Sequence, residues 1–477
     1  MSARIRFENP LVERYAGEAM SRVFSPDTKF RTWRRLWIAL AEAQRELGLP
    51  IQEAQLAELR EHQDDIDYDA AAKYERDLRH DVMAHVHVYG DQCPGARGIL
   101  HLGATSAYVG DNTDLILHRD ALRLLRQAIV GVLRPLATFA ERQAEEPALA
   151  YTHFQPAQLT TVGKRATLWL QDLLLDCEDL EHRIAQLRFR GVKGTTGTQA
   201  SFLKLFDGDS QKVEQLDRLV AEKMGFERRF LVTGQTYTRK VDYQALSLLS
   251  SIAQSAHRFS NDIRLLSNKR VLSEPFEDKQ IGSSAMAYKR NPMRSERIAS
   301  LARFVMNLAP NAAQTFAQQW LERTLDDSAN RRLSIPEAYI ATDAVLTIYA
   351  NVISGLRVFP ARHAVEMADE IPFIATENIL MEAVRAGGDR QDLHERIRQH
   401  SIAAVQKMQQ GEPNDLVARL QEDPAFAAIS SRLHESLDPK LYVGRAPEQV
   451  RDFLEQEVRP WLVRYEGIES EGTDLRV

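Results

Sequence analysis

The 477-residue chain balances 61 basic against 67 acidic side chains for a formal net charge of −6, with 44% hydrophobic and 27% charged residues. That composition fits a soluble globular protein and excludes a nucleic-acid binder driven by overall charge, while leaving room for a local cationic pocket. At roughly 150 residues per domain the length implies about three domains.

Cys93 and Cys177 stand too far apart to be a disulfide framework and suit a reducing cytosol. The N-terminal MSARIRFENP lacks the apolar core of a signal peptide, and no apolar run is long enough to cross a bilayer. The expectation is a cytoplasmic protein without a membrane partner.

In chain order, residues 1–24 read as irregular and contain Arg14 and Tyr15. Ser25 can cap a helix that Pro26 begins; Trp33, Trp37, Leu40 and Leu47 recur at helical spacing, and Gly48 with Pro50 ends it. The tryptophans read as core. RHDVMAHVH, Arg79 to His87, follows on a helix. The spacing of His80, His85 and His87 misses the one-turn repeat that puts two ligands on one helix face, so no metal site is read there. Arg79 and His80 instead offer charge and donors to an anionic group. After HLGATS, His101 to Ser106, the triplet Asp111-Asn112-Thr113 reads as the cap of a long helix running toward Glu146. Its stripe is Leu115, Leu122, Leu125, Ile129, Leu133 and Leu136, with a kink expected at Pro135.

THFQPAQ, Thr152 to Gln158, interrupts before a second stripe of Val162, Ala166, Trp169, Leu173, Cys177, Leu180, Ile184 and Leu187. KGTTGTQ, Lys193 to Gln199, lacks the strand and spacing of a P-loop. Behind TGQTYTRK, which holds Gln235, a third stripe runs from Val241 to Leu266. Helical patterns resume from Ser295, break near ERTLDDSANRR, and continue from Ser334 and Pro336 to Gly355. The remainder is shorter and more charged. Without βαβ alternation, this is an all-α chain whose middle third is a bundle, divided as 1–110, 111–358 and 359–477. The stripes are too apolar for one lone bundle, which predicts self-association of the middle domains.

The stretch Gly282 to Glu296, GSSAMAYKRNPMRSE, is too polar and too rich in small residues for an ordinary helix face. It reads as a mobile catalytic loop, with Pro292 preset to begin a helix behind Asn291. Lys289, Arg290, Arg294 and Arg297 are expected to surround a hydroxyl with positive charge, which makes Ser283 a candidate base.

G-S-S-x-M-x-x-K-x-N-P is the signature of the fumarase/aspartase superfamily, and the fuller string with Tyr288, Arg290 and MRSE resembles the adenylosuccinate lyase family in particular. The resemblance spans nearly the whole chain. It departs at Ala287, where the family usually has proline, and no reacting group is lost. The resemblance implies a homotetramer with a central twenty-helix bundle and sites built by three subunits. It also implies cofactor-free cleavage of a C–N bond, releasing fumarate from adenylosuccinate to give AMP, and likewise from succinylaminoimidazole carboxamide ribotide.

Such an elimination needs a base, an acid and fixed positive partners for the developing dianion. Ser283 is the implied base, His153 the acid, and Lys289 with Asn291 would hold the carboxylate that gains charge. Glu296 and His80 are the two candidates to orient His153. Carried over by position, Arg14, Tyr15, Arg79, His80, Asp81, Thr105, Ser106 and Gln235 would line the nucleotide substrate, and Arg297, Arg323, Ser328 and Arg332 would complete its nucleotide end. A related lyase such as argininosuccinate lyase, or a non-catalytic scaffold like the lens crystallins, are the rival readings.

Overall fold

The computed structural model describes residues 7–467 and residue 475. The N-terminal helices are α1 (Glu18–Val23), α2 (Pro26–Glu46), α3 (Glu53–Glu61), α4 (Tyr68–Leu78) and α5 (Asp81–Gln92). Ser25 caps α2 by accepting the Thr28 N–H, and Pro26 occupies the first turn as expected. The middle of the chain supplies α6 (Ser106–Arg142), a hairpin of β1 (Pro147–Thr152) and β2 (Gln155–Thr161), α7 (Val162–Gln186), α8 (Ala200–Leu205), α9 (Ser210–Lys223) and α10 (Lys240–Asn268). A short strand β3 (Leu272–Ser273) precedes α11 (Met293–Ala317) and α12 (Asp326–Ser354), and pairs antiparallel with β4 (Arg357–Val358). Among the C-terminal helices are α13 (Pro360–Ala368), α14 (Ile371–Ile374), α15 (Thr376–Arg385), α16 (Arg390–Gln409), α17 (Leu416–Glu422), α18 (Ala446–Phe453) and α19 (Arg459–Val463).

The long helices α6, α7, α10, α11 and α12 form the bundle, because their apolar residues recur every three or four positions and must be buried against one another. Leu125, Ile129 and Leu133 of α6 meet Leu173 of α7, Ile252 and Ile263 of α10, and Ile298 of α11 in one core. Each fully buried side chain of this kind contributes roughly 1.5–3 kcal/mol. At its centre the Phe259 and Tyr349 rings stack 3.9 Å apart, and Trp169 sets its edge on Phe259 while donating to Asp262 at 2.7 Å. Gly163 opens α7 where a Cβ would lie 2.4 Å from the Ala140 carbonyl, so only glycine lets α7 start this close to α6. A second core gathers Trp33, Trp37 and Leu40 of α2 with Tyr108, Phe189, Phe202, Leu216 and Tyr237. A third joins Ile379, Leu393, Leu420 and Phe426. Val450 and Trp461, on α18 and α19, return to the bundle core.

Two helix starts differ from the sequence reading. α6 begins at Ser106, not at Asp111. Asn112 is fully buried and ties the helix to the 191 loop, donating to Gly191 O at 3.1 Å and accepting from Gly191 N at 3.0 Å. Residues with the chemistry of a cap serve here as a tertiary brace. Likewise α12 begins at Asp326, so DDSANRR is its first two turns rather than a break, and Pro336 lies inside the helix. Acidic Asp326 and Asp327 in the first turn suit the helix dipole.

Inside the bundle, Asp176 of α7 is buried and accepts from the hydroxyls of Ser251 and Ser255, both at 2.6 Å. Burial raises its carboxyl to about 6, outweighing those two bonds. The folded state therefore holds a proton that the unfolded chain, with an ordinary value near 4, releases. The stabilisation this gives is complete below about pH 4 and is lost as the pH rises to about 6. Asp176→Asn should accordingly be more stable than the parent by about 1–3 kcal/mol above pH 6, the gap closing below pH 4. Parallel urea titrations at pH 4 and pH 7 check this, and a pH-independent difference would refute it.

Candidate active site

The residues singled out in the sequence come together in groups. A cavity of about 620 Å³ is lined by Arg79, His80, Asp81, Ser106, Arg323, Ser328 and Arg332. Three helix N-termini open onto it: His80–Val82 at the start of α5, Ser106 at the start of α6, and Asp327–Ser328 at the start of α12. Unpaired amides and the positive ends of three dipoles make such a place receptive to anions. Thr105 is the N-cap of α6. His80 caps α5, its Nδ1 accepting the Met83 N–H at 3.3 Å. Gln235 stands behind Arg323, its N–H donating to Glu322 O at 3.0 Å, and the two loops touch so closely that a Cβ on Gly234 would lie 2.6 Å from that oxygen.

A buried ion network that sequence reasoning missed sets the floor of this cavity. Arg239 forks onto both oxygens of Asp111 at 3.1 Å and donates through Nε to Asp327 at 2.6 Å. Arg331 donates to Asp242 at 2.6 Å, to Asp114 at 2.8 Å and to the Tyr237 hydroxyl at 2.5 Å. Burial alone would raise the Asp242 pKa, but Arg331 and the His118 contact overcome it and hold the carboxyl well below the usual range. Arg239 belongs to the TGQTYTRK motif, and Asp327 and Arg331 belong to DDSANRR. Both motifs were singled out for direct substrate contacts, which obscured the members that brace them.

The 282–296 segment lies along a second cavity of about 1130 Å³, lined among others by Tyr288, Lys289, Arg290, Asn291 and Glu296. The two cavities share no lining residue. The loop is pinned at its base, where Asn291 donates to Gly282 O at 2.9 Å and a Cβ on Gly282 would lie 2.3 Å from Lys289 O. Ser283 Oγ accepts the Met286 N–H at 3.1 Å. The expected ring of cations around this hydroxyl is dispersed. Arg294 is buried and reaches Asn351 at 2.7 Å and Glu277 at 2.5 Å, Arg290 lies 5.0 Å from the Phe276 ring, and Arg297 lies 5.5 Å from the Tyr15 ring. Arg14 rests on the same Tyr15 ring at 5.9 Å, so these three form a group of their own. Pro292 is the N-cap of α11, and the carboxylate of Glu274 satisfies the helix start by accepting from Arg294 N, Ser295 N and Ser295 Oγ at 2.9–3.0 Å.

His153 occupies a third place. THFQPAQ is the β1–β2 hairpin rather than a plain interruption, with Thr152 paired to Gln155 and His153-Phe154 as its two-residue turn. Both turn residues have positive φ, 54° and 57°, in a position where glycine or asparagine is usual. Holding two such residues there costs on the order of 1–3 kcal/mol each. Contacts around Lys269, whose amine lies 5.1 Å from the Tyr151 ring and 6.0 Å from that of Phe154, hold the tip. His153 is exposed, which rules out a buried structural role within the protomer.

Residues 19–307 match the family described as "Lyase", and residues 372–453 match "Adenylosuccinate lyase C-terminus". The chain is 49% identical over 477 residues to the adenylosuccinate lyase of Schizosaccharomyces pombe, covering 99% of each chain. It is 50% identical over 457 residues to that of Saccharomyces cerevisiae, covering 95% of each. The chain belongs to the adenylosuccinate lyase family. The fold is shared more widely: 3-carboxy-cis,cis-muconate lactonizing enzyme from Pseudomonas putida superposes with a TM-score of 0.82 at 22% identity, covering 95% of this chain and all of that one. A fumarate lyase from Mesorhizobium sp. BNC1 gives 0.78 at 22% identity, covering 93% and 99%. The all-α reading stands, with two small strand pairs added. Among the described residues of this adenylosuccinate lyase family member, no cluster of three His, Cys, Asp or Glu could hold a metal ion, and no helix is long and apolar enough to cross a membrane.

Proposed function

We propose that the protein is a cytoplasmic carbon–nitrogen lyase that eliminates fumarate from adenylosuccinate, giving AMP, and from succinylaminoimidazole carboxamide ribotide, without a cofactor. The observation that carries this reading is the charge left over in the first cavity. Arg239, Arg331 and Arg332 are each matched to carboxylates, Arg332 to Asp81 at 2.8 Å. Among the described residues, Arg79 and Arg323 have no hydrogen-bonded carboxylate, and Asp327 lies 3.8 Å from Arg323. A ligand carrying a phosphate and two carboxylates satisfies that surplus, and arginine forks suit its oxygens.

In this reading Ser283 removes the proton next to the carboxylate, His153 protonates the leaving nitrogen, and Lys289 with Asn291 holds the charge that develops. The Met286 amide already supplies one donor to Ser283 Oγ. Further donors come from another subunit, because the two cavities and the His153 hairpin stand apart in one protomer. Exposed Leu168 and Leu175 on α7, Leu265 on α10 and Phe304 on α11 support a homotetramer built on the bundle. Arg14, Tyr15 and Arg297 join the nucleotide site at the same junction.

A fumarate-release assay on the purified protein with adenylosuccinate, run beside argininosuccinate and aspartate, tests the reading. Release from adenylosuccinate alone is expected. Release only from another substrate overturns the nucleotide assignments, and silence with all three leaves a non-catalytic scaffold.

A further inference from the structure

Lys29 of α2 lines the first cavity, and no motif or role above accounts for it. Its amine makes no hydrogen bond or ion pair among the described residues. The acids around it do not supply one: Asp81 is taken by Arg332 at 2.8 Å and Asp114 by Arg331 at 2.8 Å, and Glu75 acts on it from beyond ion-pair distance. What holds the side chain is aromatic. Its amine sits 5.2 Å from the Phe30 ring and 5.0 Å from the Trp33 ring, and His85 stacks on the far part of this layer, 3.9 Å from Phe30.

This is an unusual setting for a lysine. A structural lysine on a helix extends its amine into water or onto a free carboxylate, since burial of an unpaired ammonium is costly. Here burial first, and then Arg332, push its pKa down, with Asp81 next pulling the other way. Cation–π contact with two rings offsets only part of that cost, on the order of 1–2 kcal/mol. A cation kept at a cavity wall without an acceptor is one whose acceptor arrives with the ligand.

We infer that Lys29 is a further substrate contact, its ammonium taking an anionic oxygen of the ligand beside Arg79 and Arg332. The inference rests on the nucleotide reading above and names one more residue of that site. Among the described residues Glu75 is the one acid of the cavity lining without an ion-pair partner, and its charge partly offsets the surplus of Lys29, Arg79 and Arg323. The oxygen can belong to the phosphate or to a carboxylate of the succinyl group, and both present the same chemistry to an ammonium.

The test compares wild type with Lys29→Met, which keeps the apolar stem on Phe30 and Trp33, and with Lys29→Arg, which keeps the charge. For Lys29→Met the KM for adenylosuccinate should rise about tenfold to a hundredfold with kcat changed by less than about threefold, and Lys29→Arg should recover much of the loss. Calorimetric titration with AMP and with succinyladenosine separates the anions: weaker AMP binding assigns the phosphate, and weaker succinyladenosine binding assigns a carboxylate. An unchanged KM together with unchanged binding of both ligands overturns the inference while leaving the lyase reading intact. Wild-type protein that neither turns over adenylosuccinate nor binds AMP removes both. Should Lys29→Met fail to fold, as judged by its melting transition, Lys29→Gln is measured in its place.

Discussion

Replacing Ser283 by alanine should lower kcat by about a thousandfold while AMP binding stays within about threefold of the parent. The two halves of that expectation have separate physical grounds. The hydroxyl's one bond to the fold is acceptance of the Met286 N–H at 3.1 Å, at an exposed turn, so its loss costs the loop no more than about 1 kcal/mol. The loop's base is held independently by the Asn291 bond to Gly282 O and by the tight approach of Gly282 to Lys289. Removing Oγ thus removes a proton acceptor and little else. Single-turnover fumarate release beside an AMP titration checks both halves. Near-normal turnover would take Ser283 out of the mechanism, and lost AMP binding would make it a structural residue.

The second large effect belongs to the floor of the first cavity. Arg239 is 1% exposed, and its partners Asp111 and Asp327 are 6% and 0% exposed. Arg239→Met would strand two buried carboxylates, leaving Asp111 with the Tyr237 N–H and Asp327 with Arg323 at 3.8 Å in place of a fork that made three hydrogen bonds. Breaking a buried pair in this way costs roughly 3–5 kcal/mol, far more than an exposed pair contributes. The urea midpoint should fall accordingly, and Arg239→Met combined with Asp111→Asn should recover part of the loss because one stranded charge is gone. An unchanged midpoint for Arg239→Met would show that the network is relaxed by water and does not hold the cavity together.

Whether a residue's role is legible in the sequence depends on what kind of neighbour it finds in the fold. Where the partner is local, the reading was direct: Ser25 caps α2, Trp33 and Trp37 fall in the core, and the α7 and α10 stripes face the bundle. Where the partner is distant, local chemistry misled. Asp111 and Asn112 have the composition of a cap, yet the partners of Asp111 are Tyr237 and Arg239, 126 and 128 residues along the chain, and that of Asn112 is Gly191, 79 residues along it. The start of α12 was hidden in the same way, since Asp326 and Asp327 read as a polar break until Arg239 is seen to neutralise Asp327. The THFQ turn carried no glycine to announce a hairpin, and its positive φ values rest on tertiary contacts at Tyr151 and Phe154. The candidate site residues were legible as motifs. Their grouping into two cavities, an exposed hairpin and the Arg14–Tyr15–Arg297 cluster was not, because grouping is a property of the fold.

Because those places are separate, the proposed lyase requires His153 and Ser283 of one working site to come from different subunits. Two inactive proteins, His153→Ala and Ser283→Ala, are mixed in equal amounts, subunit exchange is verified by mass spectrometry, and fumarate release from adenylosuccinate is followed. Random hybrid assembly gives about a quarter of the sites an intact histidine and an intact serine, so activity should return to about a quarter of the wild-type value. Activity that stays at the level of the separate variants after proven exchange would contradict the shared site.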